Sequence, residues 1–357
     1  FSPHEWRTLA LPFAPDGEAF FHACRTARWF APFFARTFGV PASGFHWYTT
    51  FSSRPDRFAW EGPEWLRSRE SPLYLIGCEG KKSHGLVVGS VLKYLGRGAE
   101  VMKRFEPAPV QGDATYDSVA ELYDGVFQDI KVRKDEWRWL NKHFPAAAPS
   151  GGKPRVLDIG CGNGALLREL LPRIASGVGV DASAGMIGVA RRHLERLPAE
   201  TPLRFEVVDG PRLPFPDQSV DVVLSLLSFR YLDWDPLMNE IRRVLAPGGR
   251  ILVIDMVTAP VKAKEAPMLI RDTARGLVPR WTMPSYRCAL ARLVAAPGWK
   301  TMLKYNPIRA QHELEWYLES RFPGHRVELL NVGLQARVLA FDSGPLEPGR
   351  VAPQSYP

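Results

Sequence analysis

The sequence contains no run of 18 or more consecutive apolar residues, so it predicts no membrane-spanning helix. Cysteine is scarce, with four in 357 residues, and the spacing of the four matches neither a zinc site nor a disulfide framework. We therefore predict no metal site and a reducing, cytoplasmic location. No charged-then-apolar leader precedes the globular part and the chain begins with Phe1, so we expect a processed or shortened chain.

The composition is that of a folded protein. Apolar residues make up 45% of the chain and charged residues 24%, which excludes a largely disordered, collagen-like or coiled-coil protein. At about 150 residues per domain, the length predicts two domains.

The first 106 residues are rich in aromatic side chains, holding 20 of the chain's 40. The run 18–38 has apolar residues at helical spacing, with Pro32 as a predicted kink or break. Residues 73–76 predict a strand, and 77–80 predict a loop. We interpret residues 1–106 as an accessory domain with a core of packed rings. Alternatively, some of the rings line an apolar substrate pocket.

A linker is predicted at 107–113, and a tail rich in Pro and Gly at 344–357. Between them, predicted strands alternate with predicted helices, which indicates a doubly wound α/β sheet with helices on both faces. The last two strands are joined by a short loop, so they are predicted to pair antiparallel. The predicted strands are 155–158, 177–181, 203–208, 220–225, 250–255, 326–331 and 336–341. The predicted helices are 116–144, 166–174, 183–196, 236–245 and 312–321.

A glycine-rich turn follows the first of these strands, in DIGCGNGA (158–165). Glycine lets the backbone approach a ligand closely, and the next helix points its N-terminus at the same place. Gly160, Gly162 and Ala165 also satisfy the dinucleotide pattern, and Asp181 lies where a ribose-binding acid would sit. These residues alone leave NAD open as the cofactor.

Two carboxylates favour a different cofactor. Asp158 directly precedes the glycines, where a carboxylate is unfavourable beside a pyrophosphate but favourable beside a cation such as S-adenosylmethionine. Asp209 follows the third strand, where it can accept a hydrogen bond from an adenine amino group.

Residues 114–342 resemble the class I S-adenosylmethionine-dependent methyltransferases, and most closely the small-molecule group that includes quinone-biosynthesis enzymes. Four strings in the expected order carry the resemblance: VLDIGCGNG (156–164), VGVDAS (178–183), VVDGPRLPFPDQSVDVVLS (207–225) and RVLAPGGRILVIDM (243–256). It implies a Rossmann-like sheet of seven strands with an antiparallel last strand and a helical cap insertion at 256–310. The aromatic-rich N-terminal domain in front of the sheet lies outside the resemblance. The methyltransferase domain would then occupy 114–343.

The resemblance also implies residue roles. Asp158 and the glycine backbone would hold the methionine moiety, Asp181 the ribose hydroxyls, and Asp209 the adenine amino group, while Tyr116 and Tyr123 would close over the cofactor. The full predicted cofactor set is Tyr116, Tyr123, Asp158, Gly160, Cys161, Gly162, Asn163, Gly164, Asp181, Ala182, Asp209, Gly210, Ser225 and Leu226.

The acceptor side departs from the family. Many relatives carry His after the fourth strand, whereas this chain has Phe229, Arg230 and Tyr231. Arg230 is a candidate for an acceptor carboxylate, with a salt bridge to a neighbouring acid as its alternative. The candidate catalytic residues are Arg230, Tyr231 and His312. Further possible bases, each also explained as a cap or surface group, are Asp233, Asp235 and Glu313; Asp235 with Pro236 is typical of a helix start.

The net charge of +8 comes from one segment. Residues 256–310 hold ten basic residues and two acidic ones, an excess that equals that of the whole chain. In this family such insertions cap the acceptor pocket, so we expect a lid over an apolar, anionic small molecule that meets Arg280 and Arg287. Alternatives are a nucleic-acid methyltransferase, which is not favoured, a catalytically silent cofactor-binding protein and an NAD-dependent oxidoreductase. The oligomeric state is not predicted.

Overall fold

A computed structural model of the chain describes residues 6, 9–23, 26–28, 30–45, 48–52, 74–78, 102–107, 116–210, 212–259, 261–282, 284–305, 308–333 and 336–346. Most of the predicted linker and tail lie outside these residues. So do 53–73 and 79–101 of the aromatic-rich part, together with the side chains of Arg280, Trp281 and Met283.

One sheet of seven strands organises the C-terminal part. Its spatial order is β11-β12-β10-β9-β6-β7-β8, and β12 runs antiparallel to both of its neighbours while the other pairs are parallel. The predicted doubly wound sheet and its antiparallel last strand are confirmed. The strands are β6 (Arg155–Ile159), β7 (Ser176–Asp181), β8 (Leu203–Val207), β9 (Val220–Leu226), β10 (Leu245–Val257), β11 (Glu328–Val332) and β12 (Arg337–Asp342).

Apolar residues alternate along these strands and fill two cores, one on each face of the sheet. Leu157 and Val223 lie in one core, and Val156 and Val222 lie in the other. This alternation arises because successive side chains of a strand point to opposite faces. The carboxyl ends of the parallel strands therefore meet at one edge, where ligands bind in open α/β sheets.

Helices connect the strands close to the predicted positions. The predicted helix 116–144 is interrupted: it comprises the 3-10 turn Asp117–Val119, helix α2, the 3-10 turn Ile130–Val132 and helix α3. The helices around the sheet are α2 (Ala120–Phe127), α3 (Lys134–His143), α4 (Ala165–Leu170), α5 (Ala184–Leu194), α6 (Trp234–Val244) and α10 (Gln311–Arg321).

Helix α6 begins earlier than predicted. Its N-cap is Asp233, so Asp235 lies inside the first turn and Pro236 is the third helical residue rather than the first. Proline is tolerated there because the N–H groups of the first turn have no intrahelical acceptor. The prediction of Asp235 as the cap was wrong.

The N-terminal part forms small separate elements. Strands β1 (Ala19–Phe21), β2 (Ala42–Gly44) and β5 (Lys103–Phe105) form one sheet, and β3 (Tyr48–Ser52) pairs with β4 (Tyr74–Cys78). The predicted strand at 73–76 is thus confirmed, but it extends into the predicted loop. Helix α1 (Phe30–Phe38) contains Pro32 as its third residue, so proline does not break it, for the same reason as at Pro236.

Rings hold α1 to its surroundings. Phe34 lies 4.4 Å from Phe38 and 4.9 Å from Phe21, measured between ring centroids, and Trp6 contacts Phe34 edge-on. Such pairs are favourable beyond the area they bury. For these described rings, the structure agrees with the interpretation of a packed core.

The basic segment forms three helices, α7 (Ala266–Thr282), α8 (Pro284–Ala295) and α9 (Pro297–Tyr305). We call residues 256–310 the cap, and residues 116–127 the arm. One face of α8 and α9 contacts the arm, through Tyr286, Leu293 and Trp299.

Candidate functional site

The glycine turn lies at the carboxyl edge of the sheet, between β6 and α4. Gly160 and Cys161 both donate backbone hydrogen bonds to the Val180 carbonyl, at 2.8 and 3.0 Å, which ties the turn to β7. Gly160 has φ of +73°, and a Cβ there would overlap the side chain of Ser228. Only glycine fits this position without a shift of the chain.

Asp158 is the most unusual group of the turn. Its side chain is 1% exposed, and its Oδ1 atom has no hydrogen-bond partner in the structure. Burial, and then the charge of Asp181, raise the pKa of the Asp158 carboxyl to about 8. A buried carboxyl with an unused oxygen is costly unless a ligand supplies a donor or a cation.

Asp181 ends β7 and holds the turn from the other side. Its carboxylate accepts from the backbone N–H of Gly162 and of Ser183, both at 2.9 Å. Burial raises the pKa of Asp181, although these two hydrogen bonds oppose the shift. The next predicted residue, Ala182, is exposed, as are Asp209 and Gly210 after β8.

A cavity of about 40 Å³ lies against the turn and brings many predicted residues together. Arg133, Phe127 and Ile130 line it too, and sequence reasoning missed all three. Arg133 lies in the predicted 116–144 helix, but no motif marks it. The predicted residues that line the cavity are Tyr123, Asp158, Gly160, Cys161, Gly162, Asn163 and Leu226.

Tyr123 and Phe127 of the arm line this cavity. Two aspartates that the sequence analysis did not select hold the arm in place. Asp117 accepts from the Ser183 hydroxyl at 2.6 Å and from the Gly185 N–H at 2.7 Å, at the start of α5. Asp124 accepts from the Asn163 amide at 2.7 Å. Asn163 therefore connects the glycine turn to the arm.

Ser225 and Ser228 support the turn from the end of β9. Their hydroxyl oxygens are 2.8 Å apart, and both hydroxyls lie within hydrogen-bond distance of the Ile159 carbonyl, at 3.2 and 2.7 Å. Ser225 is buried, and Leu226 beside it lines the cavity.

A second polar cluster follows Ser228. Arg230 forms a buried ion pair with Asp255. The Asp255 carboxylate also accepts a hydrogen bond from the backbone N–H of Arg230, at 2.5 Å. Burial would lower the pKa of the Arg230 guanidinium, but the charges of Tyr231 and Asp255 outweigh it and raise that pKa. Arg230 thus takes the alternative left open by the sequence, a salt bridge to a neighbouring acid.

Two tyrosines extend this cluster toward the arm. Arg230 donates to the Tyr231 hydroxyl at 2.7 Å, and the hydroxyls of Tyr231 and Tyr116 are 3.3 Å apart. Burial raises the pKa of Tyr116 well above its usual value. Tyr116 also contacts Tyr123 and Trp299 edge-on, so the cluster joins the arm to the cap.

The other predicted catalytic residues lie outside this cluster. His312 is an exposed side chain on α10, and Asp235 forms an ion pair with Arg321 at 2.5 Å. Glu313 lies within 3.4 Å of the Ala310 N–H, as a helix-capping group. Arg287 of the cap is exposed.

The glycine turn and the parallel strands of the sheet are similar to known proteins. Residues 157–253 match the family model described as a methyltransferase domain. Residues 157–253 therefore form a methyltransferase domain. A solved methyltransferase of this kind from Aquifex aeolicus aligns over 63% of this chain and 97% of its own, at 17% identity and a TM-score of 0.40.

The methyltransferase domain has curated relatives. A demethylmenaquinone methyltransferase from Clavibacter sepedonicus is 35% identical over 155 residues, 43% of this chain and 61% of that protein. A protein of the same name from Thermus thermophilus is 34% identical over 149 residues, 41% of this chain and 66% of that protein. The chain thus spans less than two thirds of either relative. The matches favour S-adenosylmethionine over a dinucleotide. None of the described helices is long and apolar enough to cross a membrane.

Proposed function

We propose that the protein transfers a methyl group from S-adenosylmethionine to an oxygen or carbon of a small, apolar acceptor that carries a negative charge. The observation that carries the proposal is the unpartnered Oδ1 of buried Asp158 beside the glycine turn. This oxygen is placed to meet the ammonium group of the cofactor, whose sulfonium supplies an electrophilic methyl when it is bound.

The surrounding residues fit the rest of that cofactor. The Gly160–Gly162 backbone offers close approach, Asp181 offers acceptors for ribose hydroxyls, and Asp209 lies beyond β8 for an adenine amino group. The cavity of about 40 Å³ holds only a few waters, so binding requires the arm to open. The proposed roles of Tyr116 and Tyr123 are to close over the cofactor afterwards.

The tyrosine cluster suits the acceptor. Because Tyr231 accepts a hydrogen bond from Arg230, it can donate its own proton either to the Tyr116 hydroxyl, 3.3 Å away, or to an oxygen of the acceptor. A phenolate or enolate oxygen would accept a hydrogen bond from Tyr231, and such an acceptor needs no general base for methyl transfer. We assign Tyr231 to acceptor binding and Arg230 to holding Tyr231 in place.

The first experiment is a thermal-shift panel on the full chain with S-adenosylmethionine, S-adenosylhomocysteine, NAD and NADP. A ligand at 100 times its Kd stabilises by about 2.7 kcal/mol, or several degrees at ~2–4 °C per kcal/mol. We expect a shift with the two sulfur compounds only, and a smaller one in Asp158→Asn. A shift with NAD alone would overturn the proposal.

The second experiment tests turnover, with S-adenosylmethionine carrying a labelled methyl group. Acceptors are a prenylated naphthoquinol, suggested by the names of the relatives, a simple phenol and total RNA. Label in a quinol or phenol supports the proposal. Label in RNA alone would support the nucleic-acid alternative, to which the basic cap points, and label in none would support a silent binding protein.

A further inference from the structure

The cap carries cations that no acid among the described residues neutralises. Arg271 pairs with Asp272, and Arg275 lies 4.0 Å from Asp135. Five other basic side chains of the cap are exposed and form no ion pair with the part of the chain that the structure describes. They are Lys262, Lys264, Arg287, Arg292 and Lys300.

The same helices expose large apolar side chains. Ile270 on α7 is 70% exposed, Val294 on α8 is 49% exposed and Leu303 on α9 is 39% exposed. Val294 and Leu303 each lie close to a cation on the same helix. Arg287 and Val294 are seven residues apart, and Lys300 and Leu303 three apart, so each pair shares one helix face.

The opposite face of α8 and α9 is already occupied. Tyr286, Leu290 and Leu293 of α8 contact the arm, and Met302 of α9 is fully buried. A Cβ on Gly298 would overlap Ser118 of the arm, so α9 lies tightly against it. The exposed cations and apolar residues of α8 and α9 therefore lie off the face that contacts the arm. We call the exposed cations and apolar residues of the three cap helices the outer face.

We propose that this outer face of the cap docks on an anionic lipid bilayer. Lys and Arg side chains are attracted to acidic headgroups, while Ile270, Val294 and Leu303 can enter the boundary between headgroups and acyl chains. A nucleic acid offers phosphates for the cations but leaves exposed aliphatic residues in water, so the combination favours a membrane. Docking places the arm and its tyrosine cluster near the phase that dissolves an apolar acceptor.

Vesicle co-sedimentation of the full chain tests the proposal without turnover, so its failure is distinguishable from failure of the methyltransferase proposal. The vesicles are phosphatidylcholine alone, or phosphatidylcholine mixed with about 30% phosphatidylglycerol as the anionic lipid. We expect binding to the anionic vesicles only, weakening steeply as salt rises.

Two double variants separate a local patch from total charge. Arg292→Glu with Lys300→Glu should reduce the vesicle partition coefficient by at least tenfold. Lys142→Glu with Lys153→Glu makes the same charge change at exposed positions outside the cap. This control should change the partition coefficient less than twofold. A third double variant, Ile270→Ser with Val294→Ser, tests the apolar contribution. It should reduce the partition coefficient severalfold and leave the salt dependence of binding unchanged. The thermal shift with S-adenosylhomocysteine checks that each variant is folded.

Three results would overturn the proposal. The first is equal binding to neutral and anionic vesicles. The second is an equal loss of binding in the two charge variants. The third is an RNA affinity that exceeds the vesicle affinity at the same salt concentration and that falls in Arg292→Glu with Lys300→Glu. The last result would assign the outer face to nucleic acid.

Discussion

The carboxylate of Asp124 lies 2.9 Å from Nε2 of His193 and 2.7 Å from Nδ2 of Asn163. One side chain of the arm thus holds both the glycine turn, through Asn163, and helix α5, through His193. The pair is mostly buried, with 10% of the His193 and 16% of the Asp124 side chain exposed. We expect the position of the arm beside the cavity to depend on this contact.

Removing the Asp124 carboxylate should loosen the arm and weaken cofactor binding. A hydrogen bond to a charged group contributes about 1.5–3 kcal/mol, so Asp124→Ala should raise the Kd of S-adenosylhomocysteine about tenfold or more. Calorimetry measures the Kd, and hydrogen exchange should speed up across 120–127. The matched control is Glu121→Ala, whose exposed carboxylate on the same helix pairs with Arg192 at the surface. Equal effects of the two variants would contradict a specific role for Asp124.

Cofactor affinity should depend on pH through Asp158. The pKa of its carboxyl is raised to about 8 in the free protein, so it is largely protonated at neutral pH. An ammonium group needs the ionised form, so affinity should rise roughly tenfold per pH unit below about pH 8 and then level off. Calorimetry with S-adenosylhomocysteine in two buffers of different ionisation heat should show proton release at pH 7.

The variant Asp158→Asn separates the pH dependence caused by the Asp158 carboxyl from that of other titrating groups. It should bind more weakly and lose most of the pH dependence. A carboxyl with a raised pKa destabilises the free fold as pH rises from its unfolded pKa toward about 8. The free variant should therefore be more stable than the wild type at pH 8 and similar to it at pH 4. An unchanged pH profile of binding would assign the titration to another group.

Substitutions at two glycines, Gly160 and Gly188, should change the stability of the fold in opposite directions. Gly160→Ala places a Cβ on Ser228 and keeps a positive φ, so it should lower the thermal midpoint and abolish cofactor binding. Gly188 lies within α5 with only a distant contact to Arg192, so Gly188→Ala should stabilise by about 0.5–1 kcal/mol. Thermal unfolding measures both. Tolerance of Gly160→Ala would show that the turn yields more easily than its contacts indicate.

The acceptor assignment has its own test in Tyr231→Phe. This change removes the hydroxyl that lies between Arg230 and Tyr116 and leaves the ring. With a turned-over acceptor, kcat/KM should fall about 10- to 100-fold, because a group that contacts the reacting oxygen is lost. The Kd of the cofactor should stay within twofold. Weaker cofactor binding with unchanged acceptor kinetics would place Tyr231 on the cofactor side.

The sheet and the glycine turn could be predicted from the sequence because the residues that mark them are close together in the chain. Alternating apolar residues mark each strand, and glycines mark the turn that follows Asp158. The arm's two fastening aspartates were missed because their partners lie 39 to 69 residues away in sequence. The pairing of Arg230 with Asp255 likewise depends on β9 and β10 being neighbours. The break between α2 and α3 was missed because apolar spacing continues through it.

The buried pair of Arg230 and Asp255 should control stability as well as the position of Tyr231. Asp255 is fully buried, so Arg230→Met leaves an unpaired buried charge and should lower the free energy of unfolding by about 3–5 kcal/mol. Adding Asp255→Leu removes that charge and should restore much of the loss, while kcat/KM stays low because Tyr231 is no longer held. The control is Arg326→Met, whose arginine is 80% exposed beside Glu319; it should cost at most about 1 kcal/mol. Denaturant unfolding measures all three. If the double variant were no more stable than Arg230→Met, the loss would come from the packing of the arginine rather than from the charge of Asp255.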